Sequence, residues 1–97
     1  MATYATLFRY TQKGIESIKD SPARLDAAKK SIAAAGGKLI AFYLTMGQYD
    51  AIAIAEFPDD ETVARSALAG GSQGYVRSET LRAFSEDEYR KIVASLP

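Results

Sequence analysis

A carboxylate, Asp50, is the first candidate for chemistry, because it follows Gly47 and Tyr49 at the start of an apolar run. Aspartate is disfavoured in strands, and a buried carboxylate without a partner is costly. Asp50 therefore either accepts hydrogen bonds from backbone N–H groups or an arginine and locks a hairpin, or acts as a general base at the mouth of a cavity. Turn chemistry alone explains Gly47, which can adopt a positive φ.

A second pair, Arg77 and Glu79, stands two residues apart in a predicted strand, so both side chains lie on one face of the sheet. A guanidinium binds carboxylates in a bidentate manner, which makes Arg77 a candidate anchor for an anionic substrate. Glu79 is then its resting partner or an acid–base group. The structural alternative is an edge strand whose charges reach solvent or bridge a dimer.

Tyrosines form the third group, with six phenols in 97 residues. Their rings can stack on an aromatic ligand while the hydroxyls bind its oxygens. We take Tyr4 and Tyr43 as the preferred cavity residues, and Tyr43 and Tyr49 as the residues that orient a substrate ring. The alternative is that the tyrosines are core or interface residues with satisfied hydroxyls.

Composition excludes several classes of function. The chain has no His and no Cys, the usual ligands of zinc, haem and iron–sulfur sites, and we expect no metal and no cofactor. Twelve basic and twelve acidic residues cancel, so no general field attracts nucleic acid. No window approaches the roughly 20 apolar residues of a membrane span, and the N-terminus does not resemble a signal peptide. We expect a cytoplasmic protein with no nucleic-acid or membrane partner.

The elements that position these residues follow from hydrophobic periodicity. Pro22 interrupts the first helical region, because proline has no N–H to donate. The run 38–46 is almost continuously apolar, as in a strand buried on both faces. Ser85 and Glu88 form a capping-box pattern. The sequence predicts strands at 3–10, 38–46, 49–57 and 74–84, a two-residue turn at 47–48, helices at 12–19 and 22–35, a helix after Pro58 that ends at Gly70 and Gly71, and a C-terminal helix.

This order of elements predicts an α+β, ferredoxin-like βαββαβ fold with an added C-terminal helix, as one domain over residues 1–97. Right-handed crossovers place both main helices on one face of a four-stranded antiparallel sheet. If the basic first helix and the acidic second helix pack side by side, their opposite charges are expected to pair at the surface. The strands carry apolar residues at both parities, so the second face must also be buried. A second copy would bury it by sheet-on-sheet packing, which predicts a homodimer.

Three segments carry a resemblance to a known family: FYLTMGQYD at 42–50, PDDET at 58–62 and RSETLRAF at 77–84. Together they resemble the GYD domain family, named for its Gly, Tyr and Asp, which are here Gly47, Tyr49 and Asp50. The resemblance spans nearly the whole chain and implies a dimeric α+β barrel, similar to small cofactor-independent monooxygenases and isomerases. It implies no assigned activity, because the family is chiefly uncharacterised.

These observations favour a homodimeric barrel that binds a small aromatic or anionic metabolite. If the protein is an enzyme, we expect cofactor-independent monooxygenase or isomerase chemistry. In that hypothesis Arg77 holds a substrate oxyanion, Asp50 or Glu79 moves a proton, and tyrosines orient the ring. The alternative is a non-catalytic assembly or ligand-sensing module, in which the charges and tyrosines serve the dimer interface.

Overall fold

The computed structural model describes residues 1–97 and contains a sheet of four antiparallel strands in the order β2-β3-β1-β4. The strands are β1 (Ala2–Tyr10), β2 (Lys38–Leu44), β3 (Ala51–Phe57) and β4 (Val76–Ala83). The helices are α1 (Gln12–Glu16), α2 (Ser21–Ala34), α3 (Asp60–Ser72) and α4 (Glu86–Ala94). The predicted ferredoxin-like α+β fold with a C-terminal helix is therefore confirmed.

The predicted break in the first helical region is present. A 3-10 turn, Ile18–Asp20, separates α1 from α2. Pro22 lies in the first turn of α2, where a missing N–H leaves no helical hydrogen bond unmade. After α2, Gly36 has a φ of +85°, which only glycine adopts without strain, so the chain leaves the helix there.

The predicted two-residue hairpin turn is wrong. The backbone N–H of Thr45 donates to the carbonyl of Asp50 at 2.9 Å, which closes a longer loop over residues 46–49, and β3 begins at Ala51. The Thr45 hydroxyl also donates to the carbonyl of Tyr49 at 2.7 Å and stabilises this wider loop. Gly47 lies inside it with a φ of +123°.

Three other expectations are corrected. The strand β2 is an edge strand and not a doubly buried one, because β3 and β1 occupy the centre of the sheet. The helix α3 continues through Gly70 and Gly71 and ends at Ser72, with Gly74 then at a φ of +83°. The basic and acidic helices form no ion pair with each other, because the ion pairs lie within α3, within α4 and between β4 and α4.

The two faces of the sheet differ sharply. Helices α2 and α3 cover one face, which carries the buried alanines of β3 and a small core. In this core the rings of Tyr4 and Phe57 meet edge to face at 5.9 Å, next to Val63. We call the opposite face the open sheet face. Strand register places on it the apolar side chains of Leu7, Tyr43, Ile52, Ile54 and Leu81.

Candidate functional site

Asp50 is held at the junction of the hairpin loop and the central strand. Its backbone N–H donates to the carbonyl of Phe8 at 2.8 Å, and its Oδ2 accepts the N–H of Tyr10 at 2.9 Å. The carboxylate therefore has the backbone partner that a structural lock requires. Its role as a general base stays a prediction.

Tyr49 and Glu79 meet at the loop end of the open sheet face. The Tyr49 hydroxyl donates to Glu79 Oε2 at 2.6 Å. Arg9 lies over the Tyr49 ring, 4.7 Å from its centroid, and its Nε donates to the carbonyl of Gln48 at 2.9 Å. The hydrogen bond to the Glu79 carboxylate, followed by desolvation and the negative charge of Glu79, raises the pKa of Tyr49 above its usual range. We call Arg9, Tyr49, Arg77 and Glu79 the loop cluster.

Arg77 faces another arginine in this cluster. Strand register places Arg77 directly opposite Arg9 across the β1–β4 pair. Like charges opposite each other in a sheet are mutually unfavourable. Neither arginine belongs to any of the ion pairs of the structure, which join Arg65 to Glu61, Arg82 to Glu88 and Arg90 to Glu86. This corner can therefore attract an anion or an acidic partner.

Tyr4 lies on the other face of the sheet. Its side chain is buried, and its hydroxyl donates to the Asp60 carboxylate at the start of α3. That hydrogen bond, followed by desolvation and the charge of Asp60, raises the pKa of Tyr4. The structure thus joins Tyr49 to Glu79, places Arg77 on the same face of the sheet, and places Tyr4 on the opposite face. Tyr43 is on the open sheet face but at its β2 edge, with 61% of its surface exposed.

A cavity of about 450 Å³ lies between the helices and the sheet. We call it the helix-side cavity. Its floor consists of small side chains from the strands, and its walls come from α2, α3 and several aromatic rings. Sequence reasoning missed two of its lining residues, Arg24 and Tyr75, because an arginine inside a helix gives no local sign that it faces a pocket. The alternation of alanines in β3 was the available signal. Floor and wall residues include Thr6, Phe8, Arg24, Ala53, Tyr75 and Thr80.

The helix α4 exposes an apolar stripe. In α4, Tyr89, Ile92 and Val93 recur at helical spacing, and Leu96 follows two residues after the helix ends at Ala94; 46–64% of the surface of each is exposed. The predicted capping box is present, since Ser85 accepts the N–H of Glu88 and the Glu88 carboxylate accepts the N–H of Ser85. The helix is thus well defined at its start, but its apolar side lacks a covering surface.

No three acidic side chains are grouped so that they could share a metal ion. None of the helices combines the length and the apolar character that crossing a bilayer requires.

A family model described as GYD domain matches residues 4–93. The chain belongs to the GYD domain family. This GYD domain is 32% identical over 84 residues to the "Glutamine synthetase and cystathionine beta-lyase binding protein" of Thermus thermophilus, and the match covers 86% of this chain and 88% of that protein. It also resembles the crystal structure of TTHA0845 from Thermus thermophilus, with a TM-score of 0.55 and 28% identity over 88% of this chain and 95% of the other.

Proposed function

We propose that this GYD domain is a binding protein that associates with metabolic enzymes through the apolar stripe of α4. The relative from Thermus thermophilus is named as a binding protein for glutamine synthetase and cystathionine beta-lyase, and it matches most of this chain. A protein that acts by docking on an enzyme needs an exposed complementary surface more than it needs a catalytic residue. The proposal therefore favours the non-catalytic alternative considered from the sequence.

The observation that carries this proposal is the spacing and exposure of the α4 stripe. Positions 89, 92 and 93 follow the i, i+3, i+4 pattern with which an amphipathic helix fills a groove on another protein, and Leu96 extends the stripe just past the end of α4. The helix also has a stable start in its capping box, which reduces the disorder that docking would otherwise have to remove. A charged outer side, including Lys91, keeps the helix from being apolar all round.

The test uses purified glutamine synthetase and purified cystathionine beta-lyase from the same organism. Binding of each enzyme to the immobilised wild type is compared with binding to Ile92→Asp and to Lys91→Asp, which lies on the opposite side of α4. We expect at least one enzyme to bind, Ile92→Asp to weaken that binding about tenfold or more, and Lys91→Asp to leave it unchanged. Circular dichroism checks that both variants are folded. Failure of both enzymes to bind wild type would contradict the proposal.

We further propose that the open sheet face is buried against a second copy, so that the binding protein is a homodimer. The support is an apolar surface that extends over all four strands, from Tyr43 in β2 to Leu81 in β4. Two such antiparallel faces pack at about 10 Å and bury each other. In this arrangement the loop cluster lies at the border of the interface. The cytoplasmic location stays a prediction.

Light scattering and analytical ultracentrifugation test the dimer. We expect a dimer for wild type, a folded monomer for Ile54→Asp on the open sheet face, and a dimer for Ile92→Asp on α4. A monomeric wild type would overturn the dimer proposal. A dimer that survives Ile54→Asp and is lost in Ile92→Asp would move the interface from the sheet to α4.

A second candidate function, small-molecule binding, is favoured by the helix-side cavity. Its volume of about 450 Å³ lies within the range of ligand sites. The site predicted from the sequence, with Arg77, Tyr43 and Tyr49, lies on the opposite face and stays a separate prediction, as does proton transfer by Asp50 or Glu79. A thermal-shift screen with a broad metabolite panel tests this candidate, and a panel that never stabilises wild type would contradict it.

A further inference from the structure

The helix-side cavity is large because its floor is made of small side chains. Ala51, Ala53 and Ala55 alternate along β3 on the helix side. In the neighbouring strands, Thr6 of β1 lies opposite Ala53, and Thr80 of β4 lies opposite Thr6. Leucine or isoleucine at these positions would fill the space beneath α2 and α3. The void thus follows from the residue types of the central strands.

Aromatic side chains form part of the cavity lining. Phe8, Tyr10, Phe42, Phe57 and Tyr75 all contribute to its lining. Aromatic rings bury large areas and pair with one another in stacked or edge-to-face arrangements. A known cavity of about 150 Å³ lined by apolar side chains accommodates benzene, so three times that volume has room for a ring with a short side chain.

One end of the cavity is positively charged. The Arg24 guanidinium lies 4.0 Å from the centroid of the Tyr75 ring and donates to the carbonyl of Ser17 at 3.1 Å. Lys13 Nζ lies 4.5 Å from the same ring and donates to the carbonyl of Gln73 at 3.0 Å. Neither cation takes part in an ion pair of the structure. Two positive charges therefore meet at Tyr75 without a carboxylate to neutralise them, with Arg24 in the cavity lining and Lys13 outside it.

The lining contains no acidic side chain. Its charged members are Arg24 and Arg65, and Arg65 is already paired with Glu61 at 3.0 Å. An ammonium group inside the cavity would lose its hydration without gaining a carboxylate, which is unfavourable. A carboxylate, in contrast, would gain the guanidinium of Arg24 and a charge-assisted hydrogen bond.

We propose that the helix-side cavity binds an aromatic monocarboxylate, with its ring among the aromatic walls and its carboxylate on Arg24. This inference rests on the small-molecule function proposed above and adds the chemical class of the ligand and the residue that anchors it. It also places the ligand on the side of the sheet away from the proposed dimer interface. Binding is therefore expected to leave the oligomeric state unchanged.

Isothermal titration calorimetry of the 97-residue chain with three matched probes tests the ligand class. The probes are 3-phenylpropionate, its neutral amide and L-phenylalanine, which share the ring and differ in charge. We expect 3-phenylpropionate to bind about tenfold or more tightly than either other probe, since a hydrogen bond to a charged group has about that effect. Equal binding of L-phenylalanine would overturn the charge argument, and binding of none of the three would overturn the inference.

Variants test the position of the ligand. Arg24→Gln keeps most of the side-chain length but removes the charge, and we expect it to weaken 3-phenylpropionate binding about tenfold or more. Arg77→Gln makes the same change at the site predicted from the sequence and tests that alternative position. The control is Arg90→Gln on α4, where Arg90 is paired with Glu86 away from both sites, and it is expected to leave the affinity unchanged. Ala53→Leu fills the cavity and should abolish binding. If Arg77→Gln loses the ligand while Arg24→Gln keeps it, small-molecule binding survives, but its assignment to this cavity fails.

Discussion

Asp50 and Tyr10 are joined by a hydrogen bond in which the Asp50 carboxylate accepts the Tyr10 backbone N–H at 2.9 Å. The last backbone hydrogen bond between β1 and the start of β3 runs from the Asp50 N–H to the carbonyl of Phe8. The side-chain contact continues this pairing one step further. At this step the Asp50 carboxylate takes the place of a backbone carbonyl as the acceptor, because the chain has already turned into the hairpin loop. The Asp of the GYD motif thus fastens the loop to the centre of the sheet.

This contact predicts a structural effect of changes at Asp50. Removing the acceptor in Asp50→Ala leaves the Tyr10 N–H without its partner, and we expect a loss of about 1–2 kcal/mol in the free energy of unfolding. Asp50→Asn keeps an oxygen acceptor and should lose less. Urea unfolding of both variants provides the measurement. Wild-type stability in Asp50→Ala would show that the lock contributes nothing.

The contact between Tyr49 and Glu79 predicts a dependence on alkaline pH. Because the pKa of Tyr49 is raised above its ordinary value of 10.0, its stabilising contribution is fully present below that pH. It is lost as the pH rises through the higher pKa of the folded state. We expect Glu79→Gln to lower the pKa of Tyr49, because the largest cause of the shift is the hydrogen bond to the Glu79 carboxylate.

An NMR titration of ring-labelled tyrosines measures this shift, with Tyr49→Phe used to assign the resonance. Arg77→Gln serves as a control in the same cluster, since Arg77 does not bond to the phenol. If the pKa of Tyr49 is the same in Glu79→Gln as in wild type, the hydrogen bond to Glu79 is not the cause of the raised pKa.

Much of the fold could be predicted because short sequence patterns mark where the helices and strands begin and end, and the order of these elements agrees with the fold. Pro22 marked the helix break, the pattern at Ser85 and Glu88 marked the start of α4, and alternating Ala and Ile residues in β3 marked its two faces. Each of these depends on neighbours within a few residues. The prediction of the hairpin turn was wrong because the loop depends on a contact that is distant in sequence. The Asp50 carboxylate accepts a hydrogen bond from Tyr10, which is 40 residues away.

The candidate site was harder to predict than the fold, because the parity of a strand does not say which face the helices cover. The sequence predicts Tyr4 as a cavity residue and Glu79 as an acid–base group, yet β1 directs Tyr4 towards the helices and β4 directs Glu79 towards the open sheet face. The pair of cations around Tyr75 depends on contacts between α1, α2 and the segment before β4. No spacing in the sequence indicates that arrangement.

Acid should weaken the start of α3 in a predictable way. Hydrogen bonds from the Thr62 hydroxyl and N–H lower the pKa of Asp59 below its ordinary value of 3.8. Its stabilising contribution is present above that value and is lost as the pH falls through the lower pKa of the folded state. The hydrogen bond from the Ser85 N–H likewise lowers the pKa of Glu88, so the stabilising contribution of this carboxylate is also lost in acid.

We therefore expect Asp59→Asn, which still caps the helix but does not titrate, to lose less stability than wild type between neutral pH and about pH 3. Denaturant unfolding at several pH values measures the difference. Asp26→Asn is the matched control, because the Asp26 carboxylate accepts no hydrogen bond from the protein. Parallel pH profiles for wild type and Asp59→Asn would contradict the expectation.

Two glycines in helices should respond in opposite ways to alanine. A Cβ at Gly14 would overlap the carbonyl oxygen of Tyr75, which also accepts the N–H of Thr11. A backbone atom cannot retreat without breaking that bond, so Gly14→Ala should lower the free energy of unfolding. A Cβ at Gly70, within α3, meets nothing within 4 Å. Gly70→Ala should raise the stability by about 0.5–1 kcal/mol, because alanine loses less backbone entropy in a helix. Thermal unfolding of the two variants side by side measures both signs, and stabilisation by Gly14→Ala would mean that α1 does not pack against Tyr75.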